Sequence, residues 1–303
     1  STQNGLLAQG VLAFFLDNNN LWLSNYGEGL VYLNTNSKFT WYQRDKTLGE
    51  CVSVLPFNQQ LVAVYQGGLQ FFKTQSKTKN LELEASQTFS FGEISAAQVV
   101  NRQLLLGTHN GQLYKFLNGK FKLVSVGKLG RRNKPILWIS EGNKGTVLVA
   151  QRHFGVVQLN RKLNRISESW DTKNGLHNDV LKTFRTSSGN IWFISSGSGI
   201  SIMDKQGQFT YLSVKDGLSN LEITDITEDK NGDVWLSTLG GGISKIDAKY
   251  TIINYPALSG LTSDFIYGIY ASNKGSVHFY GKNSYNEIFE SAINQYYPKQ
   301  LAH

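Results

Sequence analysis

Short runs of alternating apolar and polar residues, joined by glycine- and asparagine-rich turns, occupy most of the chain. The clearest unit covers residues 216–247, DGLSNLEITDITEDKNGDVWLSTLGGGISKID. It predicts strands at 223–227, 234–238 and 243–247, separated by an Asn-Gly turn and a Gly-Gly-Gly turn. Asparagine and glycine reach the positive φ angles that tight hairpin turns require. The unit is therefore predicted to be an antiparallel β-meander.

The same strand-turn-strand core recurs along the chain at a nearly fixed period. With Trp235 as the anchor, the equivalent positions are Trp22, Val62, Leu105, Leu148, Trp192 and His278. The intervals between successive anchors are 40, 43, 43, 44, 43 and 43 residues. Repeats of this length with four strands each are typical of β-propeller blades. We therefore predict an all-β fold, a seven-bladed β-propeller of four-stranded antiparallel blades, as a single domain over residues 1–303.

Some of the repeats share a longer motif. Its composite form is (D/N)GL…IxxDxxGxxWxxTxxGGLxxxD, which residues 174–204 and 216–247 carry and which residues 4–22 and 259–275 match more loosely. The motif resembles the two-component-regulator propeller repeat. The resemblance implies the periplasmic or extracytoplasmic sensor domain of a bacterial signalling receptor, such as a hybrid histidine kinase. It also implies a downstream membrane-linked signalling module and blade-to-blade contacts in a homodimer.

Composition narrows the class of protein. Thirty glycines and four prolines fit many short strands joined by tight turns. The single cysteine, Cys51, excludes an internal disulfide, and we interpret it as a small core residue at the start of a strand. No apolar run in the sequence reaches the roughly 18 residues that span a bilayer. Because Ser1 leads directly into the first repeat, we expect that any signal peptide has been removed.

The loops of a propeller fall on two sides. If each blade runs from an inner strand A to an outer strand D, the D-to-A connections and B-to-C turns share one side, where ligand sites are common. Aligning the inner strands on Asp225 gives the column Leu12, Val52, Ser95, Trp138, Lys182, Asp225 and Gly268. We expect this column to face the central channel, where Trp138, Lys182 and Asp225 would hold a small polar ligand. The alternative is a water-filled channel with an ordinary polar lining.

Positive charge is concentrated in blades three and four. Between Lys115 and Arg165 there are twelve Lys or Arg against one acid, Glu141, which gives +11, and the rest of the chain sums to −3. Such a sector raises the local concentration of anions. The candidates predicted to share the D-to-A and B-to-C side are Arg131, Arg132, Lys134, Arg152, His153 and His109. They predict a ligand that is an anionic polysaccharide, a uronate or a phosphate ester, and the alternative is a solvated cationic surface.

Tryptophans fall into two groups. Trp22, Trp192 and Trp235 occupy one repeat position and are predicted to pack inside their blades. Trp138 and Trp170 lie outside that position, and they are the better aromatic candidates for ligand binding.

Histidines raise the question of catalysis. His109, His153 and His177 lie in predicted turns of one side and would together suit a catalytic metal. Their spacing is not a ligand motif, so independent surface histidines are the alternative. The basic sector lacks any helix-turn-helix, zinc-finger or RNP signature, and no nucleic-acid partner is predicted.

Three functions are compatible with these patterns. The first is a non-enzymatic ligand-sensing domain that recognises an oligosaccharide or another small extracellular solute, without a cofactor, a metal or catalytic residues. The second is a protein-interaction or dimerisation scaffold. The third is a metal-assisted polysaccharide lyase.

Overall fold

The structure is a computed structural model, and it describes a defined part of the chain. The described residues are 11–17, 20–25, 29–34, 40–43, 46–74, 81–125, 129, 134–176, 179–256, 263–272, 275–281 and 284–289. The chain divides into two compact units, residues 1–174 and 175–303. No helix in the described ranges has the length and apolar character needed to cross a bilayer.

The first unit contains four sheets, which we name blades 1 to 4. Blades 1 and 2 consist of β1 (Val11–Asp17), β2 (Asn20–Asn25), β3 (Gly29–Asn34), β4 (Thr40–Gln43), β5 (Cys51–Phe57), β6 (Gln60–Tyr65), β7 (Gly68–Thr74) and β8 (Leu81–Thr88). Blades 3 and 4 consist of β9 (Ile94–Val100), β10 (Gln103–Thr108), β11 (Leu113–Leu117), β12 (Lys120–Leu123), β13 (Ile136–Glu141), β14 (Val147–Gln151), β15 (Gly155–Leu159) and β16 (Ile166–Trp170).

The second unit contains blades 5 to 7. Blades 5 and 6 consist of β17 (Val180–Arg185), β18 (Ile191–Ser195), β19 (Gly199–Met203), β20 (Phe209–Leu212), β21 (Ile223–Glu228), β22 (Val234–Thr238), β23 (Ile243–Ile246) and β24 (Ile252–Tyr255). Blade 7 has the described strands β25 (Ile266–Ala271), β26 (Ser276–Gly281) and β27 (Ser284–Phe289). The four-stranded repeat predicts an outer strand for this blade at residues 293–297, which lie outside the described residues. Short 3-10 turns lie at Lys46–Leu48, Asn143–Gly145, Thr172–Asn174 and Val214–Asp216.

Every blade is an antiparallel meander, because hydrogen-bonded neighbours follow the order of the chain. Within the first unit, β1, β5, β9 and β13 contact one another in sequence. Within the second unit, β17, β21 and β25 do the same. The first strand of each blade is therefore its inner strand A, and the predicted all-β class and blade pattern are confirmed.

The core lies between neighbouring blades, since alternate side chains of a strand point to opposite faces of its sheet. Strand β10 shows this clearly. Leu104 and Leu106 join a cluster with residues of blade 2, whereas Leu105 joins a cluster with residues of blade 4. Trp192 and Trp235 are likewise buried, as predicted, and the side chain of Trp22 lies outside the described part. Full burial of an apolar side chain such as leucine or phenylalanine stabilises the fold by about 1.5–3 kcal/mol.

The structure explains why the B-to-C turn ends with a glycine. Gly199 and Gly242 have φ angles of 76° and 71°, in the left-handed region. A Cβ there would lie 2.4 and 2.2 Å from the carbonyl oxygens of Leu212 and Tyr255. Strand D passes so close to the start of strand C that the turn requires glycine.

The A-to-B turns come in two lengths. In blade 3 the turn is the two-residue Asn101-Arg102, with both residues at positive φ, so that Leu105 pairs with Gln98 seven positions earlier. In blade 6 the turn spans residues 229–233, and Trp235 pairs with Thr227 eight positions earlier. When the two blades are aligned on strand B, the inner strand of blade 6 is therefore shifted by one residue from that of blade 3.

This shift corrects the predicted inner-strand column, which assumed one fixed offset from strand B. Each described inner strand has a β-bulge near its start, which marks equivalent positions. Leu12, Val52 and Ser95 are the bulge residues of blades 1 to 3. Trp138, Lys182, Asp225 and Gly268 instead follow the bulge by one residue. The predicted column was therefore wrong, because it mixed two repeat positions.

Candidate functional site

The B-to-C turn and the connection entering strand A are hydrogen-bonded to each other in both units. The bond runs from the backbone N–H after strand B to the carbonyl before strand A. In the first unit the pairs are Gln66 to Glu50, His109 to Glu93 and Arg152 to Pro135, at 2.9, 2.9 and 3.0 Å. In the second unit they are Ser196 to Asp179 and Leu239 to Glu222, at 3.0 and 2.9 Å. These two kinds of loop therefore share one side within each unit, as the sequence predicted.

In the first unit this side carries a cluster that we name the cationic loop site. It consists of Lys134 and Arg152 in blade 4, His153 beside them, and His109 in blade 3. All four residues are exposed. Beneath them the two blades pack tightly, since a Cβ at Gly107 would lie 2.6 Å from Cγ2 of Ile136. The site therefore rests on a rigid base, which suits recognition by loops.

Gln151 supports the cationic loop site from below. Its side chain is fully buried at the end of β14, and its Nε2 donates a 2.8 Å hydrogen bond to the carbonyl of Lys134. Its Oε1 has no hydrogen-bond partner among the described residues. A buried acceptor left unpaired costs free energy, so a water or a ligand hydroxyl donating to Oε1 would be favoured.

Arg131 and Arg132 lie outside the described residues, as does His177. In the described ranges no three His, Cys, Asp or Glu side chains form a group that could hold a metal ion. Trp138 is half-buried on β13. Trp170, the other aromatic candidate for ligand binding, is only 8% exposed, so little of its side chain is accessible to a ligand. Trp170 ends β16, and its carbonyl oxygen lies so close to Gly155 that only a glycine fits there.

In the second unit, Lys182 and Asp225 form an ion pair with each other. They lie on the adjacent inner strands β17 and β21, and about a fifth of each side chain is exposed. The other carboxylate oxygen of Asp225 accepts a 3.3 Å hydrogen bond from the backbone N–H of Ile269 on β25. Asp225 therefore ties three inner strands together, and we name this group the inner-strand ion pair.

Tyr280 of blade 7 lies opposite Gly268 and close enough to Asp225 to sense its charge. A Cβ at Gly268 would lie 2.4 Å from Cε1 of its ring, so glycine is what lets the ring lie there. Burial, and then the charge of Asp225, raise the pKa of Tyr280. The phenol therefore stays neutral across physiological pH.

The sequence did not identify Gln151 or Tyr280 as residues of these sites. Gln151 ends a buried apolar strand, and a polar residue there was the available signal. Tyr280 is placed by the pairing of β26 with β25, which brings it opposite Gly268. That register depends on the A-to-B turn length, which periodicity alone does not give.

A match to a known family falls on one repeat of the second unit. Residues 217–240 match the sequence model described as "Two component regulator propeller". No curated protein matches the sequence of the chain. The matched segment contains Gly217, Asp229, Gly232 and Trp235, which belong to the motif that carries the resemblance.

Solved structures resemble the chain in fold. One is described as the extracellular domain of a hybrid two component system, BT3049, from B. thetaiotaomicron, with 17% identity and a TM-score of 0.55 over 93% of this chain. This chain spans only 41% of that one. The WD40 β-propeller domain of Doa1 is 13% identical, with a TM-score of 0.66 over 93% of both chains. The computationally designed Ika8 protein is 13% identical, with a TM-score of 0.65 over 92% of this chain and 83% of its own.

These likenesses agree with the seven consecutive antiparallel sheets and confirm the predicted fold class. The family match falls on the repeat whose motif first suggested it. The chain has a β-propeller fold, and it carries a repeat of the two component regulator propeller family.

Proposed function

We propose that the chain is an extracytoplasmic, non-enzymatic sensor domain that binds an anionic saccharide at the cationic loop site. The observation that carries the proposal is the hydrogen bond from the backbone N–H of Arg152 to the carbonyl of Pro135. It joins the two loops and so places the exposed cations Lys134 and Arg152 on neighbouring loops. The family match to residues 217–240 supports a receptor context. In that context, ligand binding would act on a signalling module downstream in the receptor.

The chemistry of the site favours a ligand with both charge and hydroxyl groups. Exposed Lys and Arg side chains attract carboxylate or phosphate, and Arg can bind either in a bidentate manner. The buried Oε1 of Gln151 offers an acceptor for a hydroxyl hydrogen, directly or through one water. A uronic acid or a sugar phosphate supplies both kinds of group.

Thermal denaturation tests this proposal, because a ligand that binds only the native state raises the midpoint. We expect oligomers of uronic acid or sugar phosphates to raise the midpoint, and neutral oligosaccharides of the same length to leave it unchanged. At a ligand concentration about 100 times Kd the stabilisation is about 2.7 kcal/mol. The double variant Lys134→Ala/Arg152→Ala is expected to abolish most of this shift.

The matched control is Lys162→Ala/Arg165→Ala, which removes the same charge from exposed positions of the same unit. We expect this control to keep the full shift. An equal loss in both double variants would mean that ligand binding follows net charge and not the cationic loop site. Flat melting curves for every acidic ligand would contradict the proposed ligand class.

A further inference from the structure

Most described cations of blades 3 and 4 lie at the end of the blades opposite to the cationic loop site. They lie in or next to the A-to-B and C-to-D turns, and all of them are exposed. We name them the turn patch, and its members are Arg102, Lys120, Lys144, Arg161, Lys162 and Arg165. The described acids nearest to these turns in the two blades are Glu141 and Glu168. Cations therefore exceed acids there by six to two.

The turn patch is continuous across the two blades. The side-chain Nδ2 of Asn101, in the A-to-B turn of blade 3, donates a 2.7 Å hydrogen bond to the carbonyl of Gly145 in blade 4. A Cβ at Gly145 would lie 3.5 Å from Cδ of Arg161, so the stem of Arg161 lies over this glycine. Two A-to-B turns and one C-to-D turn are thus in direct contact.

The loop that carries three of the cations is rigid. Oδ1 of Asn160 accepts hydrogen bonds from the backbone N–H groups of Asn164 and Arg165, at 3.1 and 3.2 Å. Leu163, between Lys162 and Asn164, is only 5% exposed and belongs to the core cluster shared by blades 3 and 4. Because the loop is already anchored, it loses little conformational entropy when its exposed cations bind a partner.

An exposed apolar side chain accompanies these cations. Leu117 is 52% exposed, at the end of β11 where the C-to-D turn of blade 3 begins. It pairs directly with Lys120 across that turn. A large apolar residue at a turn tip, flanked by lysine, is a combination that favours the boundary between lipid headgroups and acyl chains.

We propose that the turn patch binds the surface of an anionic lipid bilayer. Its cations are spread over exposed turns of two blades, which suits an extended charged surface better than a small anion held in a concave pocket. Lys and Arg side chains near such a surface are attracted by its negative potential. Leu117 adds apolar contact with the headgroup boundary. This interaction is independent of the ligand proposed for the cationic loop site.

Vesicle co-sedimentation of the full chain tests the proposal. The probes are vesicles of phosphatidylcholine alone and vesicles that also contain phosphatidylglycerol. We expect binding to the anionic vesicles that weakens as salt rises. Lys162→Glu/Arg165→Glu should weaken it by at least about tenfold, and Leu117→Ala by about threefold. Both variants replace exposed side chains, and thermal melting checks that they fold.

The matched control is Lys134→Glu/Arg152→Glu, which makes the same charge change at the other end of blade 4. Retained vesicle binding in this control supports the proposal. Equal weakening in both double variants would overturn it in favour of attraction to net charge. Equal binding to neutral and anionic vesicles would also overturn it, as would binding of soluble polyphosphate at these residues without binding of vesicles.

Discussion

Blades 5 and 6 place a tryptophan at the same repeat position but support it differently. In blade 6, Nε1 of Trp235 donates a 2.7 Å hydrogen bond to Oδ2 of Asp229. In blade 5 the residue equivalent to Asp229 is Thr186, and Nε1 of Trp192 has no partner among the described residues. Both indoles are buried, at 0% and 3% exposure. Blades 5 and 6 therefore both bury a tryptophan at this position, and the hydrogen bond to its indole is present in only one of them.

Asp229 also organises the turn between β21 and β22. Its Oδ1 accepts hydrogen bonds from the backbone N–H groups of Asn231 and Asp233, at 2.9 and 3.0 Å. In blade 5, the hydroxyl of Thr186 donates to the carbonyl of Asn190 at 3.1 Å and is hydrogen-bonded to Ser188 at 2.8 Å. One carboxylate thus joins turn and core in blade 6, whereas the hydroxyl in blade 5 serves only the turn.

The largest predicted effect comes from removing Asp229. Asp229→Ala leaves the buried Trp235 Nε1 and two turn N–H groups without their acceptor, and we expect a loss of about 3 kcal/mol in the free energy of unfolding. Thr186→Ala removes only turn contacts and should cost about 1 kcal/mol. Urea denaturation at neutral pH measures both. Equal losses would show that the bond to Trp235 contributes nothing beyond the turn.

The sequence was sufficient to predict the strands and the blade pattern, because apolar alternation and Gly-rich turns are local signals. It predicted β22 at Val234–Thr238 with the observed bounds. It placed Lys182 and Asp225 at one repeat position, and the structure pairs them across adjacent strands. The fixed-offset alignment failed between Ser95 and Trp138 because turn length sets the strand register, and that length is not periodic.

The candidate site was less predictable than the fold. Lys134 and Arg152 share a side because a backbone bond joins their loops, which follows from the meander order. The turn patch was missed because the sequence shows the charge of residues 115–165 as one run. In the blades that run alternates between two ends, so that Arg152 and Arg161 lie at opposite ends of strand β15.

A substitution that makes blade 5 resemble blade 6 should have a smaller effect on the free energy of unfolding, and of opposite sign. Thr186→Asp supplies a carboxylate where Trp192 Nε1 has no partner, and we expect a gain of about 1 kcal/mol in the free energy of unfolding. The double-mutant cycle with Trp192→Phe isolates the new bond, because phenylalanine has no donor. Urea denaturation of the four proteins measures it. A gain that persists in the Trp192→Phe background would mean that the turn, and not the indole, is stabilised.

The smallest predicted effect on stability concerns a turn interaction that blades 5 and 6 share. Asp247 in blade 6 and Asp204 in blade 5 each accept two backbone N–H bonds within the C-to-D turn, all at 2.8 Å. Burial tends to raise the pKa of Asp247, but hydrogen bonds from Thr251 and Lys249 outweigh burial and hold the pKa below its ordinary value. Asp247→Asn and Asp204→Asn should each cost less than about 1 kcal/mol at pH 7.

The pH dependence of Asp247→Asn distinguishes the carboxylate from the turn itself. Because the folded-state pKa is lowered, the stabilisation is fully present above the unfolded-state value of about 3.9 and is lost as pH falls through the folded-state pKa. The stability difference between wild type and Asp247→Asn should therefore be constant from neutral pH down to about pH 5 and shrink below about pH 4. Urea midpoints measured across this range test it. A difference that persists unchanged in acid would mean that the neutral acid supports the turn as well as the carboxylate, so that the charge of Asp247 plays no part in blade 6.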